Sequence, residues 1–282
     1  MLIIGGNSLI GTHIKTALAV KGEMVEETKR QPMTGDAVKL DLMHAEEFDP
    51  GICQSKQVIF CAAATNMLWC EDNPEISSKI NVHGTRIALN KLTDNGFSGV
   101  FLSSSQVFNG EENLCHEASP THCKNLYGEQ KLEIERYIVE QDLPFAILRL
   151  SKIMGKGNLG IFDQWTQSIE KGLPINAATN IYLSPVCADD AAEITLALAQ
   201  AQRTGIWHLS APDQLSYAEA AVHMAEIRNH DIRLIHQSPV TETNVPSKFI
   251  ARFTALNCQK LRHEFGFSAP SSKAVIETLL RA

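Results

Sequence analysis

Residues 2–11 read LIIGGNSLIG, an apolar run that leads into two glycines, a short turn and a third glycine at Gly11. A buried strand, a glycine turn and a helix start in this order make an anion site, because free backbone N–H groups and the positive end of the helix dipole point at the same place. Spaced as G-x-G-x-x-G, the stretch carries Ser8 where a dinucleotide-binding loop has its middle glycine. The stretch therefore favours nucleotide binding, with a turn that only packs the first helix on the sheet as the alternative.

A second pattern begins in the same stretch, the G-x-S-x-G nucleophile elbow of hydrolases. Ile10 stands where the last glycine of that pattern should be. Such an elbow also follows several earlier strands, and here the turn follows the first one. The elbow is therefore disfavoured.

Composition limits the classes of partner. The 282 residues carry 25 Lys and Arg against 32 Asp and Glu, a formal charge of −7, so no basic field exists to attract nucleic acid or an anionic membrane. The seven cysteines are odd in number and scattered, which indicates a reduced compartment. With no basic leader and no apolar run of spanning length, the sequence predicts a soluble, cytoplasmic protein.

Short apolar runs alternate with helical patterns along the first half of the chain. Strands are predicted at 2–4, 24–28, 37–42, 57–62, 99–104 and 145–150, and helices at 10–21, from Pro74 to a left-handed stop at Asn95–Gly96, and at 125–141. Later helical patterns follow Gly160, Asp189, Tyr217 and Lys273. The alternation implies an α/β fold, a Rossmann-type doubly wound parallel sheet, in residues 1–151. Residues 152–282 are predicted to form a smaller, helix-rich substrate-binding portion, from which the chain can return to the sheet.

Two stretches could carry acid–base chemistry. The segment YGEQK places Tyr127 and Lys131 four residues apart on one helix, so both side chains stand on the same face. A neighbouring ammonium stabilises a phenolate and makes the phenol a better proton donor. The strand at 99–104 ends in serines, at the sheet edge where ligands bind. Either pattern alone also occurs by chance on helix surfaces and at strand ends.

Taken together, these motifs resemble the extended short-chain dehydrogenase/reductase family. The similarity rests on the glycine loop, LDL at 40–42, FCAAATN at 60–66, INVHGT at 80–85, the serine strand, EASP at 117–120, and YGEQK at 127–131. By this resemblance Tyr127 would be the general acid, Lys131 would lower its pKa and hold the nicotinamide ribose, and Ser104 would hydrogen-bond the substrate oxygen. Hydride transfer would belong to the nicotinamide cofactor.

The same resemblance implies the ligand contacts. Asp41 would contact the adenine, and residues 61–63 would pass under the cofactor. The implied cofactor contacts are Gly5, Asn7, Ser8, Leu9, Ile10, Gly11, Lys29, Arg30, Asp41, Leu42, Cys61, Ala62, Ala63 and Lys131. The implied substrate contacts are Asn66, Ser105, Gln106 and Lys152.

The end of the second predicted strand bears on the choice of cofactor. An acid there would bond the ribose hydroxyls of NAD, whereas cations would accept the extra phosphate of NADP. Lys29 and Arg30 occupy the turn, while Glu26 and Glu27 fall inside the strand, where one of them can face the adenosine. We favour NADP, with NAD as the alternative.

Within this family the chain is most similar to dTDP-4-dehydrorhamnose reductases and their relatives, through CAAATN, SSSQVFNG, ILRLSKIMGKGN and TALNCQKLRHEFGF. The resemblance weakens near the sugar pocket, because those reductases carry Ser-Thr-Asp-Tyr-Val-Phe at 103–108 and an aromatic residue in place of Lys152. We therefore predict an NAD(P)-dependent reductase of a carbonyl on a nucleotide-activated sugar or similar small molecule. Alternatives are an epimerase that retains its NAD and a non-catalytic, NADP-binding regulatory subunit. The oligomeric state is open, with a homodimer among the alternatives.

Two further groups of residues do not predict a functional site. Cys115, His116, His122 and Cys123 have a spacing that fits no common zinc pattern, so no metal site is predicted. The helical spacing of Phe162, Trp165 and Ile169 is typical of core or pocket wall.

Overall fold

The computed structural model describes residues 1–32, 37–156, 159–241 and 245–281. Its α-helices are α1 (Leu9–Val20), α2 (Met67–Asp72), α3 (Pro74–Ser78), α4 (Thr85–Asp94), α5 (Leu126–Glu140), α6 (Ile161–Glu170), α7 (Ala188–Gln200), α8 (Tyr217–Arg228), α9 (Gln259–Phe265) and α10 (Ser272–Arg281). Its strands are β1 (Leu2–Ile4), β2 (Glu26–Lys29), β3 (Val38–Lys39), β4 (Gln57–Phe60), β5 (Ser98–Ser104), β6 (Phe145–Leu150), β7 (Ile153–Met154), β8 (Ile175–Ala178), β9 (Tyr182–Leu183), β10 (Val186–Cys187), β11 (Gly205–Leu209), β12 (Leu215–Ser216) and β13 (Ile235–Ser238).

The central sheet has seven strands in the order β11-β6-β5-β4-β1-β2-β3. β1 pairs in parallel with β2 on one side and with β4 on the other, and the pairs β2–β3 and β4–β5 are also parallel. The predicted Rossmann-type α/β fold is therefore confirmed. The chain winds outward from β1 to β3 and then resumes at β4 on the opposite side of β1. Open α/β sheets bind ligands where the winding reverses, which here is the end of β1.

The chain divides into two compact units, each built from separate segments. The first comprises Met1–Val107, Thr121–Arg149 and Ala191–Trp207, and the second comprises Phe108–Pro120, Leu150–Asp190 and His208–Ala282. The core of the first unit is aliphatic and aromatic, formed by strand residues such as Ile4 and Phe60 with Leu89 of α4 and Ile134 of α5. The core of the second unit packs α6, α8 and α10 around β8. Full burial of each such side chain stabilises the fold by about 1.5–3 kcal/mol.

Several local predictions agree with the structure, and others differ for identifiable reasons. β6 occupies the predicted residues 145–150, and Gly96 has φ +75° beside the predicted helix stop. The predicted strand at 37–42 is shorter, because Asp41 Oδ1 accepts a hydrogen bond from Met43 N at 3.0 Å and starts a 3₁₀ segment, Leu42–Glu47. The predicted helix after Pro74 is divided into α3, a π segment (Lys79–Gly84) and α4.

The sequence analysis did not predict the shortest elements. These are the short helices α2 and α9 and the small strands of the second half. β11 comes from that half and forms an edge of the central sheet. Across the described ranges, no helix has the length and apolar character needed to cross a membrane.

Candidate active site

The glycine loop joins β1 to α1 and packs closely against the segment after β4. Gly5 has φ +86°, and a Cβ there would lie 2.8 Å from the backbone N of Ala62, so a side chain would collide with the segment after β4. Ser8 caps α1, because its Oγ accepts a hydrogen bond from Gly11 N at 3.1 Å. In the first turn of α1, the N–H groups of Leu9 and Ile10 find no acceptor within the described part of the chain. A helix start with unpaired N–H groups fits a bound pyrophosphate.

Replacing Ser8 with glycine tests whether its hydroxyl is a ligand of the cofactor. We expect Ser8→Gly to keep or tighten nucleotide affinity, since the change removes a Cβ near the pyrophosphate and costs only a few tenths of a kcal/mol as an N-cap. Titration of NADPH fluorescence against wild type measures this. A loss of about tenfold or more would show instead that the hydroxyl contacts the cofactor.

Cys61 links the glycine loop to the predicted catalytic lysine. The Ser8 hydroxyl hydrogen-bonds the Cys61 sulfur, and the positive charge of Lys131 acts on the same sulfur. Burial nevertheless raises the pKa of the Cys61 thiol to about 12, which the lysine and the serine only partly offset. Cys61 is therefore a neutral thiol at physiological pH, which suits a packing residue better than a nucleophile.

Lys131 and Tyr127 stand on the same buried face of α5, one helical turn apart. The Lys131 Nζ donates to the carbonyl oxygen of Leu102 at 2.8 Å and lies 6.0 Å from the centroid of the Tyr127 ring. Burial lowers the pKa of Lys131 to about 8, while Cys61 and Glu135 act in the opposite direction. Lys131 is therefore largely an ammonium at neutral pH, on the face of α5 that also carries Tyr127.

Tyr127 hydrogen-bonds Ser104, the serine chosen from the sequence. Burial raises the pKa of the Tyr127 phenol, the Cys70 sulfur raises it further, and the hydrogen bond with Ser104 lowers it. The phenol therefore holds its proton at neutral pH and can donate it. The structure brings Ser104, Tyr127 and Lys131 into one cluster at the end of β5 and the start of α5.

The two serines beside Ser104 have different surroundings. Ser103 is buried and donates a hydrogen bond to Glu135, which is held in an ion pair by Arg149. Ser105 is half-buried and begins a 3₁₀ segment, Ser105–Val107.

The predicted substrate contacts of the first unit have structural partners of their own. Gln106 Oε1 accepts from Asn125 Nδ2 at 2.8 Å, and Asn125 caps α5 by accepting from Gly128 N at 2.9 Å. Gln106 thus braces the helix start that carries Tyr127. Asn66 is exposed and caps α2, since its Oδ1 accepts from Trp69 N at 3.0 Å.

Lys152, predicted to contact substrate, lines a cavity of about 620 Å³ in the second unit. Its walls include Ile161, Trp165 and Tyr217, whose two rings meet edge to face at 6.2 Å. Lys152 is the charged residue among the described residues that line it. Phe162 and Ile169 lie in the core behind the wall. The cavity can therefore enclose an apolar or aromatic group beside one cation.

The predicted adenosine contacts lie on β2 and just after β3. Asp41 is half-buried and caps the 3₁₀ segment that contains the buried Leu42. Lys29 Nζ lies 3.4 Å from the Glu27 carboxylate, and Arg30 is exposed. Asn7 is exposed in the glycine loop, and Ala62 and Ala63 are half-buried after β4.

Asn81 is a positioning residue to which the sequence analysis gave no role. Its Oδ1 accepts from Ala64 N at 2.8 Å, and its Nδ2 donates to Ala64 O at 2.9 Å and to Gln130 Oε1 at 2.7 Å. These bonds fix the segment after β4 against α5. The motif INVHGT contained the only sequence signal for it.

Three of the residues weighed as metal ligands form hydrogen bonds with the backbone. The Cys115 thiol donates to Glu112 O at 3.6 Å, the Cys123 thiol donates to Val107 O at 3.7 Å, and His116 Nδ1 accepts from Ala118 N at 3.1 Å. Over the ranges that the structure describes, no group of three or more His, Cys, Asp or Glu side chains is placed to hold a metal ion.

Comparison with known protein families identifies the family of this chain. The RmlD substrate binding domain family matches residues 1–282, the full length of the sequence. The chain belongs to the RmlD substrate-binding domain family. The resemblance to extended short-chain dehydrogenases/reductases is thereby confirmed.

Individual members and structures similar to this RmlD-family chain differ in role. The probable low-salt glycan biosynthesis reductase Agl14 of Haloferax volcanii is 25% identical over 286 residues, which cover 95% of this chain and 93% of that protein. Methionine adenosyltransferase 2 subunit beta of Xenopus laevis is 27% identical over 244 residues, 83% of this chain and 71% of that protein. The crystal structure of dTDP-4-dehydrorhamnose reductase from Bacillus anthracis, in complex with NADP, superposes with a TM-score of 0.86 at 19% identity, covering 99% and 98% of the two chains.

Proposed function

We propose that this protein is an NADP(H)-dependent reductase of a carbonyl group on a nucleotide-activated sugar or a similar small molecule. The observation that carries the proposal is a continuous series of side-chain interactions from the glycine loop to the proton donor. Ser8 contacts Cys61, Cys61 lies beside Lys131, and Lys131 lies over Tyr127, which bonds Ser104. A loop suited to pyrophosphate and a phenol suited to proton donation therefore belong to one site.

Different residues of the first unit bind different parts of the cofactor. The N–H groups of Leu9 and Ile10 bind the pyrophosphate, Asp41 and Leu42 contact the adenosine, and Cys61, Ala62 and Ala63 line the path between them. Lys131 holds the nicotinamide ribose. The nicotinamide, when bound, supplies the hydride. The NADP complex of the Bacillus anthracis reductase, which shares the fold, supports this choice of cofactor.

Tyr127 donates the proton to the substrate oxygen, and Ser104 holds that oxygen by a hydrogen bond. After transfer the phenolate lies in a buried site, where the Lys131 ammonium stabilises the negative charge far better than water-exposed charges would. Asn66, Ser105, Gln106 and Lys152 remain our candidates for substrate contact. The apolar cavity with Lys152 at its wall supports a substrate that combines an aromatic or apolar group with an anionic one.

The proposal is tested by following NADPH and NADH consumption against a panel of 4-keto nucleotide sugars. We expect NADPH oxidation that depends on one class of these sugars and stops when the sugar is omitted. Nucleotide retained by the purified protein, with no consumption of added NADPH, would instead indicate an epimerase. Absence of any nucleotide binding would contradict the proposal.

The pH dependence of the rate should report the protonation of Lys131. Its pKa is lowered to about 8 by burial, so the ammonium that stabilises the phenolate is lost as the pH rises through about 8. We therefore expect kcat to fall above this pH. A kcat profile that is flat from pH 7 to about 10 would contradict the assigned role.

A loss of stability caused by deprotonation of Lys131 does not explain the expected fall in kcat. Between about 8 and the ordinary value of 10.5, the unfolded chain holds more proton at Lys131 than the folded chain. The contribution of this group to stability therefore rises with pH over that range. A thermal melt at each pH is the control.

A second candidate function is a nucleotide-binding regulatory subunit without catalysis. The similarity to methionine adenosyltransferase 2 subunit beta favours it, since that protein is named as a subunit. Confirmed NADPH binding with no turnover of any carbonyl in the panel, and no effect of Tyr127→Phe on any measured property, would favour this candidate.

A further inference from the structure

A cluster of three charged side chains lies beside the glycine loop, at the end where the adenosine ribose of a dinucleotide would be read. Glu27 is in β2, 21 residues after Gly6, and an acid about 20 residues beyond the loop binds the ribose hydroxyls in NAD-dependent sheets. A Cβ built on Gly6 would lie 2.4 Å from Glu27 Oε2, so this carboxylate packs directly against the loop.

Both oxygens of that carboxylate are already engaged by cations. Lys15 Nζ lies 2.7 Å from Glu27 Oε2, and Lys29 Nζ lies 3.4 Å from Glu27 Oε1. Lys15 comes from α1 and was not among the residues selected from the sequence. Burial raises the pKa of Glu27, but the hydrogen bonds and charges of the two lysines outweigh burial and lower it, so the carboxylate is ionised.

Glu26, the other acid of β2, is occupied elsewhere. Its carboxylate oxygens accept from Gln54 N at 3.0 Å and from Ser55 N at 2.9 Å, which fixes the turn before β4. Glu27 is therefore the acid of β2 that lies beside the glycine loop.

The charges of the cluster favour the binding of an anionic group over the binding of a neutral hydroxyl. Two lysines and one glutamate leave a net charge of +1, and both lysine side chains are about 30% exposed. An ammonium has three N–H donors, and the bond to Glu27 uses one of those on Lys15. A phosphate on the ribose could thus gain charge-assisted bonds, while for a ribose hydroxyl the negative charge of Glu27 is already compensated by the two lysines.

We propose that Lys15 determines cofactor selectivity in this protein, by holding Glu27 away from the ribose hydroxyls and binding the 2′-phosphate of NADP. The inference rests on the proposed function, of which it specifies the cofactor, and extends it to a residue outside the glycine loop and the β2 turn. Lys29 assists from the other side of the same carboxylate.

The experiment compares two fragments that differ only at the ribose 2′ position, adenosine 2′,5′-bisphosphate and adenosine 5′-monophosphate (AMP), by isothermal titration calorimetry. Neither fragment needs turnover, so the readout is independent of activity. We expect wild type to prefer the bisphosphate by about tenfold or more. Lys15→Met should remove most of that preference, because a cation is lost and Glu27 keeps only its longer ion pair, with Lys29.

A variant with the opposite effect distinguishes selectivity from damage to the fold. Glu27→Gln releases Lys15 from its ion pair and removes the competing negative charge, so it should raise the preference for the bisphosphate above that of wild type. Loss of local structure would lower the affinity for both fragments in both variants. Lys21→Met is the matched control, since Lys21 caps the far end of α1, six residues or about 9 Å beyond Lys15. It should leave both affinities unchanged.

The outcomes separate the inference from the proposed function. Equal affinity of wild type for the two fragments, a preference for AMP, or shifts in the same direction for Lys15→Met and Glu27→Gln would overturn the selectivity role. Wild type that binds neither fragment, nor NADPH, nor NADH, would overturn the proposed function itself.

Discussion

Replacement of Tyr127 by phenylalanine should lower kcat for NADPH-dependent carbonyl reduction by about 10²–10⁴-fold, the range that a positioned general acid contributes. The change removes the one hydroxyl that the structure bonds to Ser104 on this face of α5 and keeps the ring that packs beneath Lys131. Steady-state rates at saturating NADPH and substrate measure the loss. The affinity for NADPH, titrated separately, should stay within a few-fold of wild type.

Tyr137→Phe is the matched control for this prediction. Tyr137 lies on the same helix, ten residues later, and its hydroxyl donates to Asn90 Oδ1 at 2.6 Å near the surface. Its loss should leave kcat almost unchanged. Equal rates for wild type and Tyr127→Phe would show that another group donates the proton, or that no proton is donated at all.

The second large effect is on stability. It concerns the buried ion pair whose Glu135 carboxylate acts on Lys131, the lysine proposed for catalysis. Arg149 Nη2 lies 2.6 Å from Glu135 Oε2, and the two side chains are only 3% and 2% exposed. Arg149→Met should lower the free energy of unfolding by about 3–5 kcal/mol, because it leaves a buried carboxylate with only the Ser103 hydroxyl as donor. Urea denaturation monitored by circular dichroism measures the change.

Two further variants separate the charge effect from a packing effect. The double variant Arg149→Met with Glu135→Leu should recover much of the lost stability, since an apolar pair of similar volume often replaces a buried ion pair without loss. Arg233→Met removes an equally close pair with Asp231, at 2.8 Å, in which the side chains are 87% and 42% exposed. That change should cost much less than Arg149→Met, because an ion pair in water contributes little to stability. A cost for Arg149→Met no larger than for Arg233→Met would contradict the role given to burial.

The central sheet could be predicted because the sequence patterns of its strands and turns agree with the fold that the chain adopts. β1, β4, β5 and β6 each contain an apolar run of three residues or more, and the turns between strands and helices carry glycine, asparagine or proline. β6 illustrates this, since all six of its residues are buried and the run FAILRL contains one charge. That charge, Arg149, is paired with Glu135 in space, a fact that no local pattern contains.

The small strands of the second unit could not be predicted for a physical reason. β9 and β12 have two residues each and pair with one another across 32 positions of sequence, from Leu183 to Leu215 for example. Two residues show no periodicity, so only the long-range partner defines such a strand. α2 is also too short to display a helical stripe, and its start depends on the Asn66 side chain as a cap.

The candidate site was predictable where its residues are close in sequence and was missed where they are distant. Tyr127 and Lys131 share one helix face, and the family resemblance selected Ser104 among the three serines. Lys15 and Glu27 meet across 12 positions, and the ion pair between them depends on how α1 packs on β2. The sequence left Glu26 and Glu27 as equal candidates, and only the contacts of Glu26 with Gln54 and Ser55 separate them.

Transfer of deuterium from NADPH to the product tests the central proposal most directly. Protein, NADPH labelled at the transferable C4 position, and the 4-keto nucleotide sugar that gave the fastest consumption are incubated together, and the product is analysed by mass spectrometry. We predict a product one mass unit heavier, formed by wild type and by Tyr137→Phe but not detectably by Tyr127→Phe. Bound NADPH with no deuterium in any product, under conditions where the protein is folded, would contradict the assignment as a reductase.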